Sequence, residues 1–376
     1  MKKFGSFFTH IKNVIAYNQL PKKQRRLTIY SEGKNYWSYL GGLLQTILDI
    51  SDIHVCYVTS SATDPGLTIE HPRLQTFVIG EGFVRDWIFA NMDTDVVVMT
   101  MPDLGQYQVK RSSHPVHYVY VQHSLVSLHM VYRPGAFDYY DTVFCAGPHH
   151  EAEIRAMEKL ADRSPKNVFK HGYARVDSIK AQAAGQLHKT KIQTQGQRHF
   201  LLAPSWGETG TIERGVGAKV VELLLSKGEK VTLRPHPQTI KFAAGRVDDI
   251  VNKHIANPNF EYENNVEGQS SLHASDVMIC DWSGAALDYA FGLGKPVIFI
   301  NVERKVNNPS YHDIPLTPFE VDIRPSIGSV ISPDNLDAIL ELELKPLPQT
   351  LADKYVYNVG RSDEIGAREI LRLVEG

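Results

Sequence analysis

Long apolar runs are missing from this 376-residue chain. Nothing in it approaches the roughly 20 consecutive apolar residues of a bilayer-crossing helix, so an integral membrane protein of that kind is excluded. Cysteine is scarce as well, and Cys56, Cys145 and Cys280 each sit inside an apolar run without pairing or metal spacing. They read as buried core thiols in a reducing compartment rather than as a disulfide framework. Charge of one sign does not dominate either: the formal net charge is -2, which offers no broad positive field for nucleic acid. No small-residue cleavage site follows the basic amino terminus, so a cytoplasmic protein is the expectation.

Several catalytic signatures are absent too. There is no Gly-x-x-x-x-Gly-Lys-Ser/Thr, and no Gly-x-Gly-x-x-Gly after the first expected strand, against P-loop and NAD readings. Neither His-Glu-x-x-His nor a clustered Cys/His set occurs, so no zinc or other metal site is expected, and no Gly-x-Ser-x-Gly elbow is found. No cofactor is called for.

What is present is alternation. At 43% hydrophobic and 22% charged residues, the chain has the balance of a soluble globular protein with room for two or three domains. Residues 1–26 stand apart. Phe4, Phe7, Phe8, Ile11, Val14 and Ile15 recur at helical spacing, flanked by lysines and followed by the basic cluster Lys22, Lys23, Arg25 and Arg26. This segment suits an interfacial helix on anionic lipid, or equally a helix packed on its own domain ahead of a solvated linker.

From Leu27, short runs rich in Val, Ile, Tyr and Thr (27–31, 54–59, 76–79, 95–100, 116–122, 141–146) alternate with helical patterns at 36–50, 82–92 and 149–161. That rhythm predicts a parallel sheet covered by helices. A polar stretch near 180–198 reads as a domain end and linker, after which strands at 200–204, 230–234, 260–263, 277–280 and 297–300 resume with helices between them. The boundaries expected are 1–26, 27–185, 186–350 and a closing helix over 351–376. Two α/β domains in series place a ligand cleft between the carboxyl ends of their strands.

Polar residues collect at those strand ends. His123, in Val121-Gln122-His123-Ser124, has the chemistry of a general base, or of a histidine satisfied by a carbonyl. Arg234-Pro235-His236-Pro237 is a stiffened loop holding a planar cation and an imidazole, or simply a rigid turn. Asp281-Trp282-Ser283-Gly284 opens a helix where backbone N–H groups and the helix dipole favour an anion, although a plain serine cap has the same pattern. Gly172 and Arg175, in His171-Gly172-Tyr173-Ala174-Arg175-Val176-Asp177, and Ser205, in Pro204-Ser205-Trp206-Gly207, occupy two further glycine-bearing loops.

Taken in order, these pieces resemble the CDP-glycerol glycerophosphotransferases, the teichoic-acid and capsule polymerase family. Its pattern runs Gln-x-x-His-Gly, Gly-x-Pro-Arg-x-Asp, Arg-x-His-Pro, then Asp-Tyr-Ser-Ser before a helix and a Lys-Pro strand, here Lys295-Pro296. This chain departs from it: Gln122 adjoins His123, Ser124 replaces the family glycine, and Trp282 and Gly284 replace Tyr and Ser. The amino-terminal half, with Tyr30 to Trp37 and Thr100 to Leu104, is similar to a Gram-negative-type branch.

The resemblance implies a GT-B-like α/β fold, two Rossmann-like domains with parallel sheets facing a central cleft, and metal-free chemistry. It implies His123 as the base and His236 as stabiliser of a diphosphate. Arg234, Asp281, Ser283, Gly284, Ser205, Gly172 and Arg175 would hold the donor. The implied partners are a CDP-linked donor, a surface-polymer or lipid-linked acceptor and an anionic membrane surface met by residues 1–26, on the inner face of the cytoplasmic membrane. A nucleotide-sugar glycosyltransferase and a non-catalytic nucleotide- or sugar-binding protein are the competing readings.

Overall fold

The computed structural model describes residues 2–107, 109–185, 196–265 and 268–376, with backbone only for residues 2–6. Part of the expected linker therefore lies outside the described residues.

The first sheet contains β1 (Leu27–Ser31), β2 (Val55–Thr59), β3 (Leu74–Val78), β4 (Val96–Met99), β5 (His117–Val121), β6 (Thr142–Cys145) and β7 (Asn167–Lys170). Their order is β3-β2-β1-β4-β5-β6-β7, all parallel, with Ile29 between Tyr57 and Val98. The second contains β8 (His199–Leu202), β9 (Lys230–Leu233), β10 (Phe260–Tyr262), β11 (Val277–Cys280), β12 (Val297–Ile300) and β13 (Gly328–Ile331), in the order β10-β9-β8-β11-β12-β13. Its central strands read as near-continuous buried apolar runs because helices cover both faces. In each sheet the order reverses once, between β1 and β4 and between β8 and β11. Loops leaving the carboxyl ends of those strands diverge and leave a crevice.

Helices α1 (Lys2–Gln19), α2 (Trp37–Ile50), α3 (Phe83–Asn91), α4 (Pro148–Leu160) and α5 (Ala174–Gly185) accompany the first sheet. Helices α6 (Val216–Ser226), α7 (Pro237–Phe242), α8 (Ala244–His254) and α9 (Ala285–Leu293) accompany the second. The closing helix α10 (Ser362–Glu375) returns to the first sheet, where Ala367, Ile370 and Val374 join Leu40, Leu43, Leu44 and Ile47 of α2 in one buried cluster. The sequence predicts that helix but not its destination. The tail is also broken, with a short helix at Leu351–Tyr355 ahead of it.

Helix α1 packs on its own domain through part of its apolar face. Val14 and Tyr17 are buried in the core between α1, α3 and the first sheet, and the Tyr17 hydroxyl lies 2.9 Å from Thr28 Oγ1. Phe7, Phe8 and Ile15 stay exposed. Three of the four residues of the basic cluster are ion-paired to the first domain. Lys22 meets Asp93 at 2.7 Å and Asp95 at 3.0 Å, Arg25 meets Asp93 at 3.0 Å, and Arg26 meets Asp95 at 2.6 Å.

Between the sheets the packing is continuous. Leu125, Tyr173, Val176 and Ile179 from the first half share a buried cluster with Ala286, Leu287, Tyr289 and Phe291 of α9. Gly292 lets α5 and α9 cross closely, since a Cβ there would collide with the Ile179 side chain.

Candidate functional site

The crevice of the second sheet is built by Asp281, immediately after β11. Its carboxylate is fully buried and accepts four hydrogen bonds: from Ser205 N at 2.7 Å, Trp282 N at 2.6 Å, Thr211 N at 3.1 Å and Thr211 Oγ1 at 2.8 Å. A carboxylate saturated in this way has little left to offer a ligand. Asp281 fixes the loop after β8 to the turn after β11, across the point where the strand order reverses. The same turn is braced from outside: the Arg324 guanidinium lies 3.2 Å above the Trp282 ring and donates to Asp281 O at 2.8 Å.

Two cavities of about 380 Å³ each open from this crevice toward the first domain. His123, Ser124, His236, Ser283 and Gly284 line both, so they form the neck between them. Asp103, Arg133, Ser205, Trp206 and Lys305 line one side, and Tyr36, Tyr39, Arg175, Arg234 and Asp288 line the other. Gly172 lines neither. Its positive φ of 108° and its seat against the backbone of Tyr357 account for the glycine there, at the join with the carboxyl-terminal segment.

His123 leaves the end of β5 into a cage of tyrosines. Nδ1 is 3.1 Å from the Tyr120 hydroxyl and Nε2 is 3.4 Å from that of Tyr132, with the rings of Tyr36 and Tyr39 edge-on. Burial lowers its pKa to about 4, because a charged imidazolium would lose its hydration in that apolar ring set. At neutral pH His123 is therefore uncharged. The second histidine, His236, caps α7, its Nδ1 accepting from Gln238 N at 3.1 Å. That bond fixes the neutral ring as the Nε2–H tautomer, a donor. Burial, and then the nearby Lys305, lower its pKa to about 4 as well. His236 stacks on Trp206 with centroids 6.0 Å apart, and the Lys305 ammonium sits 4.2 Å from the same ring's centroid.

The arginines are less free than a phosphate ligand would be. Arg175 Nε donates to Asp288 Oδ2 at 2.7 Å, a buried pair joining α5 to α9 across the two halves. Arg234 donates to Gly268 O at 3.0 Å and lies 4.0 Å from Glu263, and burial lowers its pKa to about 10. Lys295 donates to the carbonyls of Leu272, His273 and Ser275, which makes it a brace beneath β11 and β12 rather than a ligand. Ser283 Oγ accepts from Ala285 N at 3.3 Å, within the turn that leads into α9. No group of three or more metal-binding side chains occurs among the described residues.

Sequence reasoning missed Lys305, Asp103 and the tyrosine cage. Asp103 lies in the loop after β4 at φ 64°, a backbone conformation that only the structure reveals. It lines the cavity with one carboxylate oxygen buried and unpartnered, and burial raises its pKa. Lys305 sits in a loop without any periodic pattern, and nothing in the sequence singled it out.

Residues 137–310 match the family model described as CDP-Glycerol:Poly(glycerophosphate) glycerophosphotransferase. That stretch holds three of the four motifs, the one at His123 lying outside it, and the match does not separate branches of the family. No curated protein matches the chain. Among solved structures, the wall teichoic acid polymerase TagF is similar over 100% of this chain and 98% of its own, at 12% identity and a TM-score of 0.55. The UDP-GlcNAc 2-epimerase of Methanocaldococcus jannaschii, in complex with UDP-GlcNAc and UDP, is similar over 93% and 99%, at 13% and 0.58. That of Neisseria meningitidis, bound to UDP-GlcNAc, is similar over 92% and 99%, at 11% and 0.56. At these identities the likeness is one of fold: two Rossmann-like domains in a GT-B arrangement.

Proposed function

We propose that this cleft transfers glycerol phosphate, or a similar polyol phosphate, from a CDP-linked donor to a hydroxyl of a surface-polymer or lipid-linked acceptor. The observation that carries the reading is the neck, where two neutral histidines from different domains meet the start of α9. The acceptor oxygen attacks the phosphorus bearing the polyol, and His123 takes the hydroxyl proton. The P–O bond to the nucleotide breaks and CMP departs, its developing charge stabilised by the His236 Nε2–H and the backbone N–H groups at the start of α9. Ser205, Ser283, Gly284 and Arg234 contact the donor, with Lys305 supplying positive charge nearby, while Asp281 and Arg175 hold the walls. None of these steps calls for a metal.

An assay of CMP release from CDP-glycerol and CDP-ribitol, with an oligosaccharide or lipid acceptor, tests the reaction. Consumption of only a nucleotide-sugar would replace the reading by a glycosyltransferase, and tight nucleotide binding without turnover by a binding protein. Replacing His123 by Ala should lower turnover at least a hundredfold while leaving donor affinity within a few-fold. Unchanged turnover removes it as the base.

Attachment to an anionic membrane surface belongs to the same reading. Its support is the exposed apolar set Phe7, Phe8 and Ile15 on α1, with Phe83 and Trp87 on the neighbouring α3. Among the described residues no helix is long and apolar enough to cross a membrane. Co-sedimentation with phosphatidylglycerol vesicles should fall several-fold for F8E/F83E, with the melting temperature unchanged.

A further inference from the structure

Two of the departures from the family pattern meet in space. Position 124, where the pattern has glycine, carries serine; position 284, where the pattern has serine, carries glycine. The two face each other across the neck: a Cβ built on Gly284 would stand 3.0 Å from Ser124 Oγ and 3.6 Å from Val126 Cγ1. Both residues line both cavities. Between these two positions there is still one hydroxyl and one glycine, but the hydroxyl arrives from the opposite domain to join that of Ser283 at the neck.

We propose that Ser124 supplies, from the first domain, a hydroxyl contact to a donor phosphoryl oxygen seated at the start of α9. The inference rests on the proposed use of a nucleoside diphosphate donor. Gly284 is at φ -61° and ψ -22°, ordinary helical backbone open to any residue, so its glycine is not required by conformation. What it provides is the space Ser124 occupies. A serine at both positions would crowd the neck, because 3.0 Å is closer than a carbon and a hydroxyl oxygen comfortably approach. A glycine at both would leave the phosphoryl oxygen without the contact. Because Ser124 follows β5 and Gly284 follows β11, the contact couples donor binding to the relative position of the two sheets.

A double-mutant cycle on the full chain tests this, read as the donor KM for CMP release from CDP-glycerol. S124G and S124A should each raise that KM about tenfold, the loss of one hydroxyl bond to a charged group. G284S alone should also raise it, and the swap S124G/G284S should return it to within about threefold of the parent. A KM for S124A equal to that of the parent, or a swap no better than the worse single variant, overturns the proposal. Thermal denaturation checks that each variant is folded. If the parent does not turn over any CDP-polyol, the donor reading has failed. The same cycle is then read by calorimetric titration with CDP and UDP. Non-additive recovery of affinity in the swap supports Ser124 as a phosphoryl contact, and additive losses overturn it.

Discussion

At the scale of single residues the site depends on groups kept neutral or saturated. Both histidines have their pKa lowered to about 4, so both are uncharged well below neutrality. For a group whose neutral form is the working one, activity is retained above the pKa and lost below it. Log kcat/KM should stay level from pH 8 down to about 5 as far as these groups determine it, and fall through the window near 4. A limb at the ordinary imidazole value near 6.5 would show that neither buried ring sets the rate. Asp281 is the opposite case, a charge with every lone pair spoken for. D281N keeps the shape, yet turns one acceptor oxygen into a donor facing other donors. It should cost about 2–4 kcal/mol by urea unfolding and should also raise the donor KM, because the loop bearing Ser205 and Trp206 loosens.

At the scale of elements, α1 serves the core through Val14 and Tyr17 among its described side chains. F8S should leave melting nearly unchanged, whereas Y17A should destabilise by about 3–5 kcal/mol, the usual range for a large buried aromatic. Scanning calorimetry of the two variants checks the contrast. Deleting residues 1–20 would remove Val14 and Tyr17 together and should prevent folding. Elements were also where the sequence could best be read. Strands such as Val96–Met99 and Val277–Cys280 are buried on both faces, and their apolar runs reveal them. Strand β7, with both ends exposed, and β13, with Val330 exposed, lie at sheet edges and carry too little apolar signal to stand out. His123, His236, Ser283 and Gly284 were legible because they follow strong strands, which fixes where their loops emerge. The tyrosine cage was not, because Tyr36, Tyr39, Tyr120 and Tyr132 converge from separate loops and elements that only the tertiary fold brings together. Asp281 and Gly172 have the residue types of ligands, and only their neighbours show that they serve the scaffold.

At the scale of the whole molecule, the two halves are joined by an apolar seam and by the buried pair Arg175–Asp288. R175A leaves Asp288 buried without its principal partner and should cost about 3–5 kcal/mol; R175A/D288A should recover part of that loss, as measured by chemical denaturation. A single cooperative transition should persist in the parent, since the seam makes the halves unfold together.

The return of α10 to α2 has a consequence in time as well as in space. Helix α2 ends at Ile50, yet the apolar face it shares with Ala367, Ile370 and Val374 waits for a helix that begins at Ser362, roughly three hundred residues later in synthesis. At typical elongation rates roughly twenty to sixty seconds separate the two. Through that interval the nascent first domain carries an uncovered stripe of leucines and isoleucines at the ribosome's mouth. A message truncated before codon 362 would release a chain whose second sheet can form while its first stays open, a natural target for holding chaperones and proteases.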